Sequence, residues 1–414
     1  MINSGDTAWV LLCGALVLFM TPGLAIFYGG MVRAKSTLNM MMMSFSAIGV
    51  TTILWVLYAY SLAFGEGGSF FGKLDHIGLA ATINQVTGPD GHQIPVLAFS
   101  MFQLTFAIIT VALLSGAIAD RAKFSSWMIF AGLWVTLVYS PVAHAAFTSD
   151  GFLAKNIGAL DFAGGTVVEI NSGAAALALA LVLGKREGFK RDPMRPHNMP
   201  LVLLGAGLLW FGWFGFNAGS ALQASSLAAT AMINTQVATA VAAMSWLIVE
   251  KLREGKATTL GIASGAIAGA VAITPACGFV TPIGALFIGL FGGAVSAWAV
   301  TRKYRLGYDD SLDVVGVHGV GGLIGMIGIG LLASKLVNSG GADGFFINGS
   351  FSQLNKQLIA SVMTAAYSFA ATWLIATFIQ KTIGFRVDRN TELEGLDTTI
   401  HAESAYDINN YTTR

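Results

Sequence analysis

The sequence predicts an all-α integral membrane protein with eleven transmembrane helices, on two observations. Hydrophobic residues make up 55% of the 414-residue chain and charged residues 11%, less than half the roughly 25% charged content of a soluble domain. Eleven apolar runs are each long enough to cross ~30 Å of hydrocarbon, at about 20 residues per span.

The runs fall near 7–30, 38–64, 96–119, 124–146, 157–184, 198–220, 229–250, 258–275, 282–301, 310–335 and 353–380. Residues 1–6 hold Asp6 but no basic stretch, so the first run is expected to serve for insertion in place of a cleavable signal peptide. Arg33 and Lys35 follow it. Arg121 and Lys123 separate the third and fourth runs, and five basic residues in 185–195 separate the fifth and sixth. Three more lie in 251–256, three in 302–305 and four after 380. Short loops rich in Lys and Arg stay cytoplasmic. An outside N-terminus therefore puts nineteen of the 23 basic residues inside and leaves Lys73, Lys155, Lys335 and Lys356 outside. The expected organisation is a transmembrane domain over 1–380 and a cytoplasmic tail over 381–414, in a multi-pass protein of the cell (inner) membrane.

Fifty glycines suit close helix packing in lipid, where small residues let backbones approach; Gly321, Gly322, Gly325, Gly328 and Gly330 share the tenth run. Cys13 and Cys277, on opposite halves of the chain, read as free thiols. A net charge of +1 argues against nucleic acid as a partner. With neither a Gly-x-Ser-x-Gly elbow nor a His-Glu-x-x-His pair, the chain does not read as an enzyme, and no metal or cofactor is expected.

Two titratable side chains lie deep in the apolar runs. Glu169 follows Asp161 by eight residues in the fifth run, and His318 follows Asp310 by eight in the tenth. An ionisable group at bilayer depth costs a few kcal/mol or more, which marks a functional site with a partner to be found. Each is the obvious partner of the other. The repeated spacing predicts two five-helix halves of opposite topology, an inverted 5+5 repeat with an eleventh helix appended, whose site lies at the interface near midplane. Asp161 then belongs toward the outer face and Asp310 toward the inner one.

The strings Phe-Tyr-Gly-Gly at 27–30, Gln-Leu-Thr-Phe-Ala at 103–107, Leu-Asp-Phe-Ala-Gly-Gly-Thr-Val-Val at 160–168, Trp-Phe-Gly-Phe-Asn-Ala-Gly-Ser-Ala at 213–221, Thr-Pro-Ala-Cys-Gly at 274–278 and Gly-Val-His-Gly-Val at 316–320 resemble the Amt/Mep/Rh ammonium transporter family, nearest its bacterial Amt branch. The resemblance implies a homotrimer in the lipid bilayer, with a narrow ammonium pore in each protomer. Carried over by motif, it implies an outer vestibule of Phe102, Phe106, Phe147 and Ser220 with Trp213 nearby, organised from behind by Asp161. The implied gate is Phe106 with Phe216, and the implied pore pair is Glu169 with His318. The chemistry is sensible residue by residue. Phe102 and Phe106 are four apart and share a helix face, and Ser220 follows Phe216 by the same step. Aromatic faces attract a desolvating cation by ~0.5–2 kcal/mol. A serine hydroxyl accepts N–H, which ammonium offers and potassium does not.

Two positions depart from the family pattern. Histidine usually stands where Glu169 is, although some fungal members carry glutamate there, and tryptophan usually stands where Phe147 is. Phenylalanine is the weaker cation–π partner. A carboxylate beside an imidazole favours both ionised forms together, so Glu169 and His318 are expected to titrate as a coupled pair. Either an ion pair blocks the pore, or the carboxylate holds NH₄⁺ or relays its proton. His144, at an outer helix end, reads as an interfacial hydrogen-bonding residue.

The basic loop 185–198 resembles the family loop that meets the PII-type signalling protein. The tail segments 384–387, 394–397 and 401–403, with Tyr406, resemble the family tail, which crosses the inner face to a neighbouring protomer. Ala402 replaces the usual glycine, which removes easy access to positive φ and is expected to redirect the last residues. Residues 407–414 match no familiar ending, and some family members carry an appended cytoplasmic output domain after this tail. Two functions fit: a carrier that takes NH₄⁺ from outside and releases ammonium inward, or an ammonium sensor with little or no conduction that shifts its tail. A ligand shifts the tail only as far as it binds the two arrangements differently.

Overall fold

The structure is a computed structural model and describes residues 1–406; the closing segment 407–414 lies outside the described residues. Eleven helices dominate it: α1 (Ser4–Met31), α2 (Ala34–Phe64), α3 (Val96–Ile118), α4 (Phe124–Ile157), α5 (Gly165–Leu183), α6 (Met199–Gly219), α7 (Ser226–Glu254), α8 (Thr259–Ile273), α9 (Pro282–Leu306), α10 (Val315–Leu332) and α11 (Ser352–Thr382). Ten are long and apolar enough to cross a membrane, and α8, at 15 residues, is apolar but shorter. At 1.5 Å per residue it rises only about 22 Å. The expected run to 275 stops at Ile273 because Pro275 has no N–H with which to continue the ladder; residues 274–278 go on as a buried turn. The only strands among the described residues are the two-residue pair Val86–Thr87 and Ile94–Pro95, antiparallel in the loop before α3.

Two other helices begin later than the apolar runs suggest, for one shared reason. Asp161 accepts the backbone N–H groups of Gly164, Gly165 and Thr166 at 2.7–2.8 Å, and Gly164 is left-handed at φ 117°. So α5 starts at Gly165 rather than near 157. Asp310 likewise accepts Val315 N–H at 2.7 Å, and α10 starts at Val315. Each helix opens with a π-helical stretch, Gly165–Ile170 and Val315–Gly319, that carries its titratable residue. Such widened turns recur at functional sites.

These two helices cross at glycines placed four residues after the titratable groups. A Cβ on Gly173 would lie 2.2 Å from Gly319 Cα, and one on Gly322 would lie 2.7 Å from Glu169 Cβ. The approach is reciprocal, and any side chain would force the helices apart. α1 packs along α6 in the same close manner, with Gly205 seated against the Phe27 backbone.

The chain gathers opposite loop sets at its two ends. At one end Asp6 joins His92 and Ala224. At the other, here the basic end, Arg33, Asp120, Arg186 and Asp309 meet beneath the segment 385–406. Cys13 and Cys277 are free and buried.

Candidate functional site

The crossing of α5 and α10 puts Glu169 Oε2 2.7 Å from His318 Nδ1, the short distance of a charge-assisted hydrogen bond. Both residues are buried. The other carboxyl oxygen, Oε1, has no hydrogen-bond partner. Glu169 and His318 line a cavity of about 20 Å³ whose walls include Tyr28, Leu113, Trp213 and Phe216. A water-sized molecule needs roughly 10–15 Å³ on this measure, so the chamber takes one small solute.

Phe216 roofs the chamber. Its ring stacks on Phe106 with centroids 4.0 Å apart at 23°, and Phe106 meets Phe102 edge-on at 4.9 Å. Trp213 lies 5.8 Å from Phe216 and is fixed by donating its indole N–H to Thr274 Oγ1 at 2.8 Å. Ser220 Oγ donates to the Phe216 carbonyl at 2.8 Å, which commits its proton and leaves its lone pairs as acceptors. Phe147, half-buried at the end of the first stretch of α4, lies beside Gly164 in the Asp161 turn rather than in the ring stack. Thus Phe102, Phe106, Phe216, Trp213 and Ser220 are brought together, and Phe147 lies at the Asp161 turn. His144, buried, bridges the carbonyls of Ala63 and Gly68 at 3.1 and 2.7 Å.

Below the pair the chamber reaches Met31, Leu312 and Asp313, which also line a cavity of about 560 Å³ at the basic end. These three residues form the partition between the two spaces. Lys303 Nζ, almost fully buried, lies 2.6 Å from Asp313 Oδ1 and donates to the Asp310 carbonyl at 2.7 Å. Neither Lys303 nor Asp313 stands out in the sequence, where Lys303 counts only as one basic residue of a loop. Tyr28 and Thr274 fall within motif strings, yet their roles as chamber wall and tryptophan anchor have no sequence signal of their own.

The basic end is tied by buried charges. Arg186 Nε and Nη2 donate to the two oxygens of Asp309 at 3.0 and 2.9 Å, and Nη1 donates to Asp120 at 3.2 Å. Burial opposes ionisation of Asp309, but the Arg186 hydrogen bonds and the charges of Arg121 and Arg186 outweigh it and hold its pKa down at about 2. Burial likewise works against the Arg186 charge and is outweighed by Asp309 and Asp120, so its pKa is raised. The tail joins this cluster. Glu392 accepts from the Glu187 N–H at 2.6 Å and from Arg386 at 2.7 Å, and Asp397 caps the start of α2 through the N–H groups of Leu38 and Asn39. Tyr406 Oη lies 2.8 Å from His197 Nε2 in the 185–198 loop. Ala402 takes the left-handed conformation at φ 54° despite a steric cost of roughly 1–2 kcal/mol. Ala402 thus keeps access to positive φ; the last residues, whose redirection is expected from the sequence, lie outside the described residues.

A family profile, the Ammonium Transporter Family, matches residues 8–406. The ammonium transporter of Mycobacterium tuberculosis is 51% identical, covering 98% of this chain and 91% of its own length. That of Bacillus subtilis is 47% identical over 98% of this chain and 99% of its own. Among solved structures, Candida albicans Mep2 matches with a TM-score of 0.86 at 34% identity, over 94% of this chain and 87% of its own. A protein named Sensor Amt Protein matches with a TM-score of 0.87 at 29% identity, over 96% and 98%.

Proposed function

This chain belongs to the ammonium transporter family, and from that premise we propose that it captures NH₄⁺ at a vestibule of Phe102, Phe106, Phe147, Trp213 and Ser220, ordered by Asp161, and conducts ammonium past the Phe106–Phe216 gate to the Glu169–His318 pair. One observation carries the reading: Glu169 keeps an oxygen without a partner in a chamber sized for one small solute. A buried carboxylate oxygen left unpaired costs about 1–3 kcal/mol or more, and a solute that donates N–H removes that cost. Ser220 adds a second acceptor before the gate. The homologues named as ammonium transporters agree with a non-enzymatic role.

The same reading counts the shorter α8 as a span, which makes eleven, and assigns 1–380 as the transmembrane domain, with 381–414 as a cytoplasmic tail. The pairing of α1 with α6 and of α5 with α10, partners five helices apart, supports an inverted 5+5 repeat. The concentration of Arg and Lys at the basic end supports placing that end in the cytoplasm and the protein in the cell membrane, as a homotrimer whose 185–198 loop and tail could meet a PII-type signalling protein or an appended output domain.

Electrical recording on proteoliposomes tests the proposal. The wild-type protein should carry a sustained ammonium-evoked current, and Glu169→Gln should change that current or the ammonium affinity by about tenfold or more, as expected for a hydrogen bond to a charged group, with assembly intact. Unchanged current and unchanged binding in the variant end the proposal. A second reading, ammonium sensing with little or no conduction, draws on the tightly stacked gate and on the likeness to a protein named as a sensor. Ammonium binding without current would select it.

A further inference from the structure

We propose that Lys303 is a tethered stand-in for the solute: its ammonium group fills an ammonium-binding station at the partition between the pore chamber and the large cavity of the basic end, and passage requires exchange between this head group and a free ion. The inference rests on the pore reading above and extends it to the far mouth. The station consists of a carboxylate, Asp313 Oδ1 at 2.6 Å, and a backbone carbonyl, that of Asp310 at 2.7 Å. A carboxylate and a carbonyl are acceptors only, matched to a compact N–H donor bearing positive charge, and a primary ammonium R–NH₃⁺ presents the same donors as NH₄⁺ or methylammonium.

Position separates this pair from an ordinary structural ion pair. Asp313 is one of three residues bordering both spaces, so its carboxylate stands where a solute leaves the chamber. Its backbone is held left-handed at φ 65°, an uncommon conformation for a residue with a Cβ. Asp313 Oδ1 meets Lys303 as an ion pair without the geometry of a hydrogen bond, and the neighbouring Asp310 Oδ1 is likewise buried without a hydrogen-bond partner, which leaves acceptor capacity in the same turn for a free ammonium. The Lys303 stem is a flexible four-carbon chain ending in a point charge, able to withdraw as an arginine fork could not.

Chemical rescue tests the proposal on the purified full chain. Lys303→Met removes the head group and keeps the stem. Thermal unfolding is then followed in ammonium chloride, methylammonium chloride, potassium chloride and sodium chloride at equal ionic strength. Ammonium and methylammonium should raise the Tm of Lys303→Met by about 2 °C or more beyond their effect on wild type. Potassium and sodium should not, and the double variant Lys303→Met/Asp313→Asn should lose the excess. Equal stabilisation by all four salts, or none by any, overturns the proposal. If Lys303→Met does not fold without ammonium, Lys303→Gln takes the same titration: selective stabilisation by the two ammonium salts supports the station, and its absence overturns it. Wild-type current is a separate readout: its absence counts against conduction, whereas the rescue reads only whether the vacated station accepts a free ammonium.

Discussion

Glu169 and His318 meet through Oε2 and Nδ1 at 2.7 Å while Glu169 Oε1 stays without a partner. The pair is thus half satisfied: one carboxylate oxygen is spent on the imidazole and the other is held in reserve. A pair built only for stability would satisfy both oxygens, since an orphaned buried acceptor carries a penalty. The reserve oxygen is an acceptor open to a hydrogen-bond donor that enters the chamber.

Phe216→Ala should remove the roof of the chamber. Truncating a buried phenylalanine costs about 3–5 kcal/mol, so the Tm should fall. Methylammonium uptake into proteoliposomes should rise relative to ammonium, because the stacked rings no longer limit solute size. Unaltered relative uptake would show that the rings do not close the path.

Phe147→Trp restores the stronger cation–π partner. If Phe147 faces the arriving cation, a gain of about 0.5–1 kcal/mol corresponds to a two- to fivefold tighter half-saturating ammonium concentration, measured from evoked currents or binding. No change would assign Phe147 to packing against the Asp161 turn.

Gly173→Ala should separate α5 from α10, because the added methyl would lie 2.2 Å from Gly319 Cα. Overpacking of this kind costs about 1–3 kcal/mol and more where backbone must move. The expected result is a lower Tm together with loss of ammonium current, since parting the helices also parts Glu169 from His318.

The Asp309 pKa of about 2 makes a signed statement about pH. A carboxylate depressed in the folded state contributes stability above its unfolded pKa of about 3.9 and loses it as pH falls toward about 2. The difference corresponds to roughly 2–3 kcal/mol. Melting curves from pH 5 down to pH 2 should therefore show a steeper loss in wild type than in Asp309→Asn, which should start less stable, because Arg186 would keep only part of its compensation.

Much of this is legible in the chain because burying charge in hydrocarbon is expensive. Glu169 and His318 can be matched as partners on sequence alone, since neither has another plausible counter-group at its depth. The stack of Phe106 on Phe216 is legible only through resemblance, because phenylalanines are commonplace on apolar helices and contact between distant helices has no period. Helix starts are less readable. Hydropathy runs on through Asp161 and Asp310, while the chain itself stops there to let each carboxylate collect backbone N–H groups. The Arg186–Asp309–Asp120 cluster leaves no trace in the sequence, as pairing between distant loops has no period. Ala402 misleads in the other direction: local conformational preference points away from positive φ, and tertiary hydrogen bonds prevail.

The seating of Gly173 on Gly319 and of Gly322 on Glu169 bears finally on motion. Segments pressed together at their midpoints resist swinging apart as separate rigid halves. On the proposed path, a solute would cross by rearrangement of side chains rather than by the slower swings of whole domains.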